Sequence, residues 1–99
     1  MADVLLTFHC AAQDAEAVIE AVRPLVAVPI HLREEQVFGR DFVDANTAER
    51  VAGTLRRAAV ELIVAADQLE ALVGAAAASR RRLPMRWHAT PLIASGREA

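Results

Sequence analysis

Residues Leu55 to Ala65 read LRRAAVELIVA, a short apolar stretch that predicts a β-strand. Val60, Leu62 and Val64 alternate with their neighbours and therefore share one face of that strand. The period then changes to that of a helix, with an apolar stripe formed by Leu69, Leu72, Val73 and Ala76. The second half of the chain is thus predicted to hold a strand that runs directly into a helix.

The residues at both ends of this predicted helix are typical of helix termini. Asp67 with Glu70 resembles a capping box at the start of the helix. The run from Arg80 to Arg82 stands at its end, where the helix dipole favours positive charge. Leu83 to Ile93 then predicts another strand.

The chain before Leu55 contains the same kinds of element. Asp3 to His9 (DVLLTFH) predicts a buried strand, and a helical stripe follows from Ala12 to Arg23. Val28 to Val37 alternates and predicts a half-buried strand. Phe38 to Thr54 is long for a connection in a compact domain, and loops of this length are often functional.

The order of elements is β-α-β-β-α-β, which predicts a ferredoxin-like α+β sandwich. Its four-stranded antiparallel sheet has the spatial strand order 4-1-3-2 and carries two helices on one face. Strands 2 and 4 are then the edges, and Pro29 and Pro91 fall in these two strands, where proline is tolerated.

Two helices cover only one face of such a sheet. The other face is predicted to be apolar, with Leu5, Thr7, Ala59, Ile63 and Ala65. Since exposed apolar faces usually mark interfaces, this predicts an oligomer.

The composition argues against several classes of function. The 99 residues predict a single domain spanning 1–99, and 55% of them are apolar. A net charge of -2 argues against a nucleic-acid partner. With no lysine, no catalytic sequence motif and a single cysteine, the chain is not expected to be an enzyme. The absence of a membrane-length apolar run and of a leader-like start predicts a cytoplasmic protein without membrane insertion.

Three stretches carry a family resemblance: DVLLTFHCA, TAERVAGTLRRAAVELIV and WHATPLIASGR. Together they resemble small PII-like proteins that are often encoded beside heavy-metal efflux pumps of the RND type. The wider group is similar to PII signalling proteins and to the CutA divalent-cation-tolerance proteins. The resemblance implies a homotrimer with the sheets facing its centre, and a loop in the position of the PII T-loop at Phe38 to Thr54. The glycine-rich loop, lysine and tyrosine that PII proteins use are missing, so ATP sensing and tyrosine modification are not implied.

Arginines near this loop and in the tail form the first candidate site. Guanidinium groups bind phosphate or carboxylate in a bidentate manner, and in PII-like trimers the ligand cleft lies between subunits near the loop base and the tail. The candidate ligand-binding residues are Arg40, Arg56, Arg57, Ser95, Gly96 and Arg97. The alternative is ion pairing of these arginines between subunits, with the acidic residues Glu34, Glu35, Asp41 or Asp44. Those four carboxylates could themselves hold a hard cation or simply form a solvated edge.

His9, Cys10 and His88 form the second candidate site. The predicted topology brings the end of strand 1 near the start of strand 4, and imidazole and thiolate are ligands for Zn²⁺ or Cu⁺. The alternative is that the histidines are ordinary sheet residues and that Cys10 is a small buried side chain.

The sequence therefore predicts a PII-like cytoplasmic regulator or sensor linked to heavy-metal efflux. It would bind a small ligand or metal at the subunit interface and signal through residues 38–54 to an efflux pump or its regulator. The alternative is a direct metal-binding tolerance protein of the CutA type. No cofactor is indicated by any motif.

Overall fold

The computed structural model describes residues 2–38 and 55–99. Four strands form the sheet: β1 (Asp3–Ala11), β2 (His31–Val37), β3 (Leu55–Ala65) and β4 (Arg86–Pro91). Two α-helices accompany them: α1 (Ala15–Val22) and α2 (Leu69–Ala77). Short 3₁₀ turns flank these helices at Ala12–Asp14, Arg23–Leu25 and Ala66–Gln68.

The sheet has the order β2-β3-β1-β4, and every neighbouring pair is antiparallel. Phe8 in β1 lies opposite Val60 of β3 on one side and opposite Trp87 of β4 on the other. The predicted ferredoxin-like fold and its strand order are therefore confirmed, with β2 and β4 at the edges.

The core lies between the helices and one face of the sheet. Leu6 and Phe8 of β1 are completely buried there, as are Val18 and Val22 of α1. Leu72 of α2 belongs to the same cluster. Because strand side chains alternate between faces, the even-numbered β1 residues point to the helices and the odd-numbered ones to the other side. The sheet face away from the helices is called the open face below.

A buried carboxylate joins the two halves of the fold. Asp14 is 3% exposed and accepts hydrogen bonds from the backbone N–H groups of Arg82 and Leu83, each at 3.0 Å. Arg81, which directly precedes these two residues, donates hydrogen bonds to the carbonyl oxygens of Ala76 and Ala77 at the end of α2. The arginine run thus ends the helix as predicted, through hydrogen bonds to terminal carbonyls.

Several boundaries differ from the sequence prediction. β2 begins at His31 rather than Val28, so Pro29 precedes the strand instead of lying within it. β4 is shorter than predicted and ends at Pro91. The predicted cap by Asp67 and Glu70 is not formed; the side chain of Gln68 instead accepts a hydrogen bond from the backbone N–H of Ala65 at 3.2 Å.

The helices are short, with 8 residues in α1 and 9 in α2. Within residues 2–38 and 55–99, no helix is long and apolar enough to cross a membrane.

Candidate functional site

Polar side chains occupy the centre of the open face. The register places the open-face residues of all four strands beside one another. These include Thr7, His9, Arg33, Glu35, Glu61 and His88. Leu5, Thr7, Ala59, Ile63 and Ala65 do lie on this face, as predicted. The prediction that the face is apolar is wrong at its centre, because polar groups from β2 and β4 lie around these residues.

One chain of contacts crosses β1, β3 and β2. Thr7 Oγ1 donates a hydrogen bond to Glu61 Oε2 at 2.9 Å, and Arg33 donates to the other oxygen of that carboxylate. The hydrogen bond from Arg33, supported by that from Thr7, holds the pKa of Glu61 below its ordinary value. Thr7 is only 1% exposed although it is on the open face, because its neighbours cover it.

A second chain of contacts spans the sheet from β2 to β4, through side chains of β2, β1 and β4. His9 Nδ1 on β1 lies 2.5 Å from Glu35 Oε1 on β2. On its other side, the His9 ring stacks on the His88 ring of β4, with centroids 5.3 Å apart and an angle of 21° between the ring planes. The predicted proximity of His9 and His88 is therefore observed, and Glu35 is a partner that the sequence analysis did not assign to them.

Cys10 does not join these histidines. It lies on the helix side of β1, completely buried, with its Sγ atom 3.9 Å from the carbonyl oxygen of Ala58. Burial, reinforced by the negative charge of Asp14, raises the pKa of the Cys10 thiol to about 11. The grouping of His9, Cys10 and His88 as one three-ligand set is therefore corrected, because alternation along β1 puts Cys10 on the opposite face.

No larger cluster replaces that set. Within the part of the chain that the structure describes, no group of three or more His, Cys, Asp or Glu side chains is placed to hold a metal ion. Glu34 is exposed and Glu35 faces His9, whereas Asp41 and Asp44 lie outside the described residues. His31 lies at the start of β2, opposite Glu61.

A cleft of about 300 Å³ lies where β2 ends and β3 begins. The described residues that line it are Ala12, Glu34, Glu35, Gln36, Arg56 and Arg57. Arg57 is 5% exposed and donates a hydrogen bond to the carbonyl oxygen of Arg56 at 2.8 Å. Two of the predicted ligand-binding arginines therefore lie in one concave site, together with two carboxylates.

The other predicted ligand residues are elsewhere. Ser95, Gly96 and Arg97 are exposed in the tail, which leaves the sheet where the Leu92 N–H donates to the Asp3 carbonyl oxygen. Asp3 is at the first end of β1, whereas the cleft residue Arg57 pairs with Ala11 at its last end. The tail therefore leaves the sheet at the end away from the cleft. The three tail residues are not among the described residues that line the cleft, and Arg40 lies outside the described residues.

The model of a known protein family matches this chain over its full length. The family model described as "Protein of unknown function (DUF3240)" matches residues 1–99. The chain belongs to the DUF3240 family.

Solved structures show that this DUF3240 chain has a PII-like fold. A DUF3240 family protein from Shewanella baltica superimposes with a TM-score of 0.79 at 18% identity, covering 100% of this chain and 99% of that one. Arabidopsis thaliana PII bound to citrate gives a TM-score of 0.68 at 12% identity, covering 92% of this chain and 78% of that one. No curated protein matches the sequence.

The polar residues of β2 are what the sequence analysis of this DUF3240 chain missed. Alternation along β2 puts Arg33 and Leu32 on opposite faces, but the sequence analysis did not predict the pairing of Arg33 with Glu61. For Glu35 the sequence predicts an ion pair with an arginine, a hard-cation site or a solvated edge, and not the contact with His9. The alternation of Arg33 and Glu35 was the available signal, since it puts both on the face that carries His9.

Proposed function

We propose that this DUF3240 protein is a PII-like regulatory protein that binds a small anionic ligand in the cleft beside Arg56 and Arg57. In this proposal the protein binds and signals and is not an enzyme. The PII-like fold supports the regulatory part, and the arginines support the anionic class of ligand, because guanidinium groups bind carboxylates and phosphates well.

The position of the cleft is the observation that carries the proposal. Val37 pairs with Leu55 in the sheet, so the two ends of the segment from Phe38 to Thr54 meet at one point. The adjacent pair, Gln36 and Arg56, lines the cleft. A ligand held there would contact the base of the segment, through which we propose the bound state is passed to a partner. The segment itself lies outside the described residues.

Assembly as a homotrimer is part of the same proposal. The helices leave the open face uncovered, and Ile63 on that face is 39% exposed. Packing of copies through this face would bury it. Neighbouring copies would also offer a route for Ser95, Gly96 and Arg97 of one subunit to approach the cleft of another.

The cellular setting is proposed from the sequence resemblance alone. It places the protein in the cytoplasm, with a heavy-metal efflux pump or its regulator as the partner. Affinity purification of the tagged protein from its native host, grown with and without metal stress, is expected to recover a pump subunit or regulator only when residues 38–54 are intact.

Thermal unfolding tests the ligand site. A compound that binds only the folded state raises the melting temperature, so citrate, phosphate, bicarbonate and ATP are the probes. At least one is expected to raise the melting temperature of the wild type, and Arg56→Ala is expected to remove that increase. Arg23→Ala is the matched control, because Arg23 is an exposed arginine whose ion pair among the described residues is a local one, with Glu20. An equal shift in the Arg56→Ala protein, or none with any probe in the wild type, would contradict the proposal.

A further inference from the structure

Two histidines face each other on the open face. In the β1–β4 register, Arg86 lies opposite His9 and His88 lies opposite Thr7, so the two histidines are diagonal neighbours. Their rings are stacked with centroids 5.3 Å apart. In the single chain His88 is exposed and the side chain of His9 is 31% exposed, so a solvated ion can reach both rings before copies pack through the open face.

Glu35 gives this pair a feature that ordinary surface histidines lack. Its carboxylate lies 2.5 Å from Nδ1 of His9, which places the imidazole proton on Nδ1 in the neutral ring. The Nε2 atom then carries the free lone pair. A carboxylate on the far nitrogen is the usual arrangement around metal-binding histidines, because it fixes the tautomer and makes the ligand nitrogen more basic.

We propose that His9 and His88 bind a divalent transition-metal ion such as Zn²⁺, Ni²⁺ or Cu²⁺, with Glu35 as the positioning residue for His9. Two imidazoles supply two coordination positions, and water supplies the others. Stacked rings direct their lone pairs alongside each other, so His88 must turn about its side-chain bonds for both nitrogens to meet one ion. Its exposure leaves room for that rotation.

The charges around the pair select the class of ion. Arg33 is paired with Glu61, and Arg86 lies opposite His9 in the β1–β4 register, so two guanidinium groups belong to residues around the site. Ions held mainly by charge, such as Mg²⁺ and Ca²⁺, prefer oxygen ligands and lose most from a nearby cation. Ions that bind imidazole strongly are favoured instead. The metal site shares Glu35 with the anion cleft, but its two proposed ligands, His9 and His88, are not among the described residues that line the cleft. Metal binding requires neither the proposed anionic ligand nor a partner protein.

Calorimetric titration of the full chain with ZnCl₂, NiCl₂ or CuCl₂ alone tests the site. His9→Gln, which keeps a polar group beside Glu35, and His88→Ala are each expected to abolish binding at the metal concentrations that saturate the wild type. Glu35→Gln is expected to weaken it about 10- to 100-fold. His31→Ala and Cys10→Ser are the matched controls and are expected to bind like the wild type, since His31 and His88 lie on opposite edge strands of the sheet and Cys10 lies on the opposite face.

Electron paramagnetic resonance of the Cu²⁺-loaded protein identifies the ligands independently. Hyperfine coupling to two imidazole nitrogens is expected in the wild type and to only one in His88→Ala at high copper concentration. Circular dichroism of each variant confirms that the fold is retained. The site is disproved if the wild type binds none of the three metals, or if folded His9→Gln or His88→Ala binds with wild-type affinity.

Discussion

Nδ1 of His9 on β1 lies 2.5 Å from Oε1 of Glu35 on β2, although β3 lies between these two strands. Neighbouring strands are about 4.8 Å apart, so the two side chains together bridge roughly 10 Å of sheet. The β3 residue opposite His9 is Ala59, which is completely buried. Glu35 is opposite Arg57 in the β2–β3 register, so the contact runs diagonally over β3, and the small Ala59 side chain beside it leaves room for the two longer side chains to meet.

Enlarging Ala59 is therefore expected to separate this pair. In Ala59→Leu, the larger side chain occupies the space beneath the His9–Glu35 contact, and overpacking of this kind costs about 1–3 kcal/mol. Urea denaturation should show the loss of stability, and the NMR signals of the His9 ring should shift. Ala71→Leu on the exposed surface of α2 is the control and should change little. Wild-type stability together with unchanged His9 signals in Ala59→Leu would contradict this account of the bridge.

Loss of the Asp14 carboxylate should destabilise the fold. Asp14→Ala leaves the backbone N–H groups of Arg82 and Leu83 without their acceptor in a partly buried position, at a cost of about 1–3 kcal/mol. Asp14→Asn keeps one acceptor oxygen and should lose less. The free energy of unfolding in urea measures both, and exposed Asp67→Ala provides the comparison. If Asp14→Ala and Asp67→Ala were equally mild, the carboxylate would not be needed to anchor the connection before β4.

Alkaline stability should depend on Cys10. Burial raises the pKa of its thiol from 9.0 to about 11. Between these two pH values the thiol is therefore protonated in the folded protein and deprotonated in the unfolded chain. The contribution is complete below pH 9 and is lost as the pH rises towards 11, amounting to at most about 2–3 kcal/mol. The sequence has no lysine and no tyrosine, so few other groups titrate there. Urea unfolding between pH 8 and pH 11 should therefore show a fall in stability that Cys10→Ala removes. An identical fall in that variant would assign it to another group.

Assembly should depend on the open face. Sedimentation at micromolar concentration is expected to show one species of three subunits for the wild type. Ile63→Asp is expected to shift it to monomer, because an unpaired charge in the interface is strongly unfavourable. Leu25→Asp is a suitable control, since Leu25 is 48% exposed and lies in the turn after α1, away from the open face. A monomeric wild type, or a trimeric Ile63→Asp protein, would rule out packing through this face.

The sequence by itself determined the order and type of the elements, because hydrophobic period is a local property of the chain. Leu55 to Ala65 was predicted with the bounds that β3 has, and the edge strands followed from the fold class. Alternation along β1 also puts His9 and Cys10 on opposite faces, although the sequence analysis grouped them because the predicted topology brings both to the same end of the sheet as His88.

Only the tertiary structure decided which side chains meet on the open face. His9 and Glu35 are separated by 26 residues in the sequence, and Arg33 and Glu61 by 28. Their contacts depend on the register between strands, and a slip of one residue would move each partner to the other face. That register is set by the packing of the whole core against the helices. The pairing of His9 with Glu35 across Ala59 is therefore a property of the folded sheet, which no local pattern in the sequence specifies.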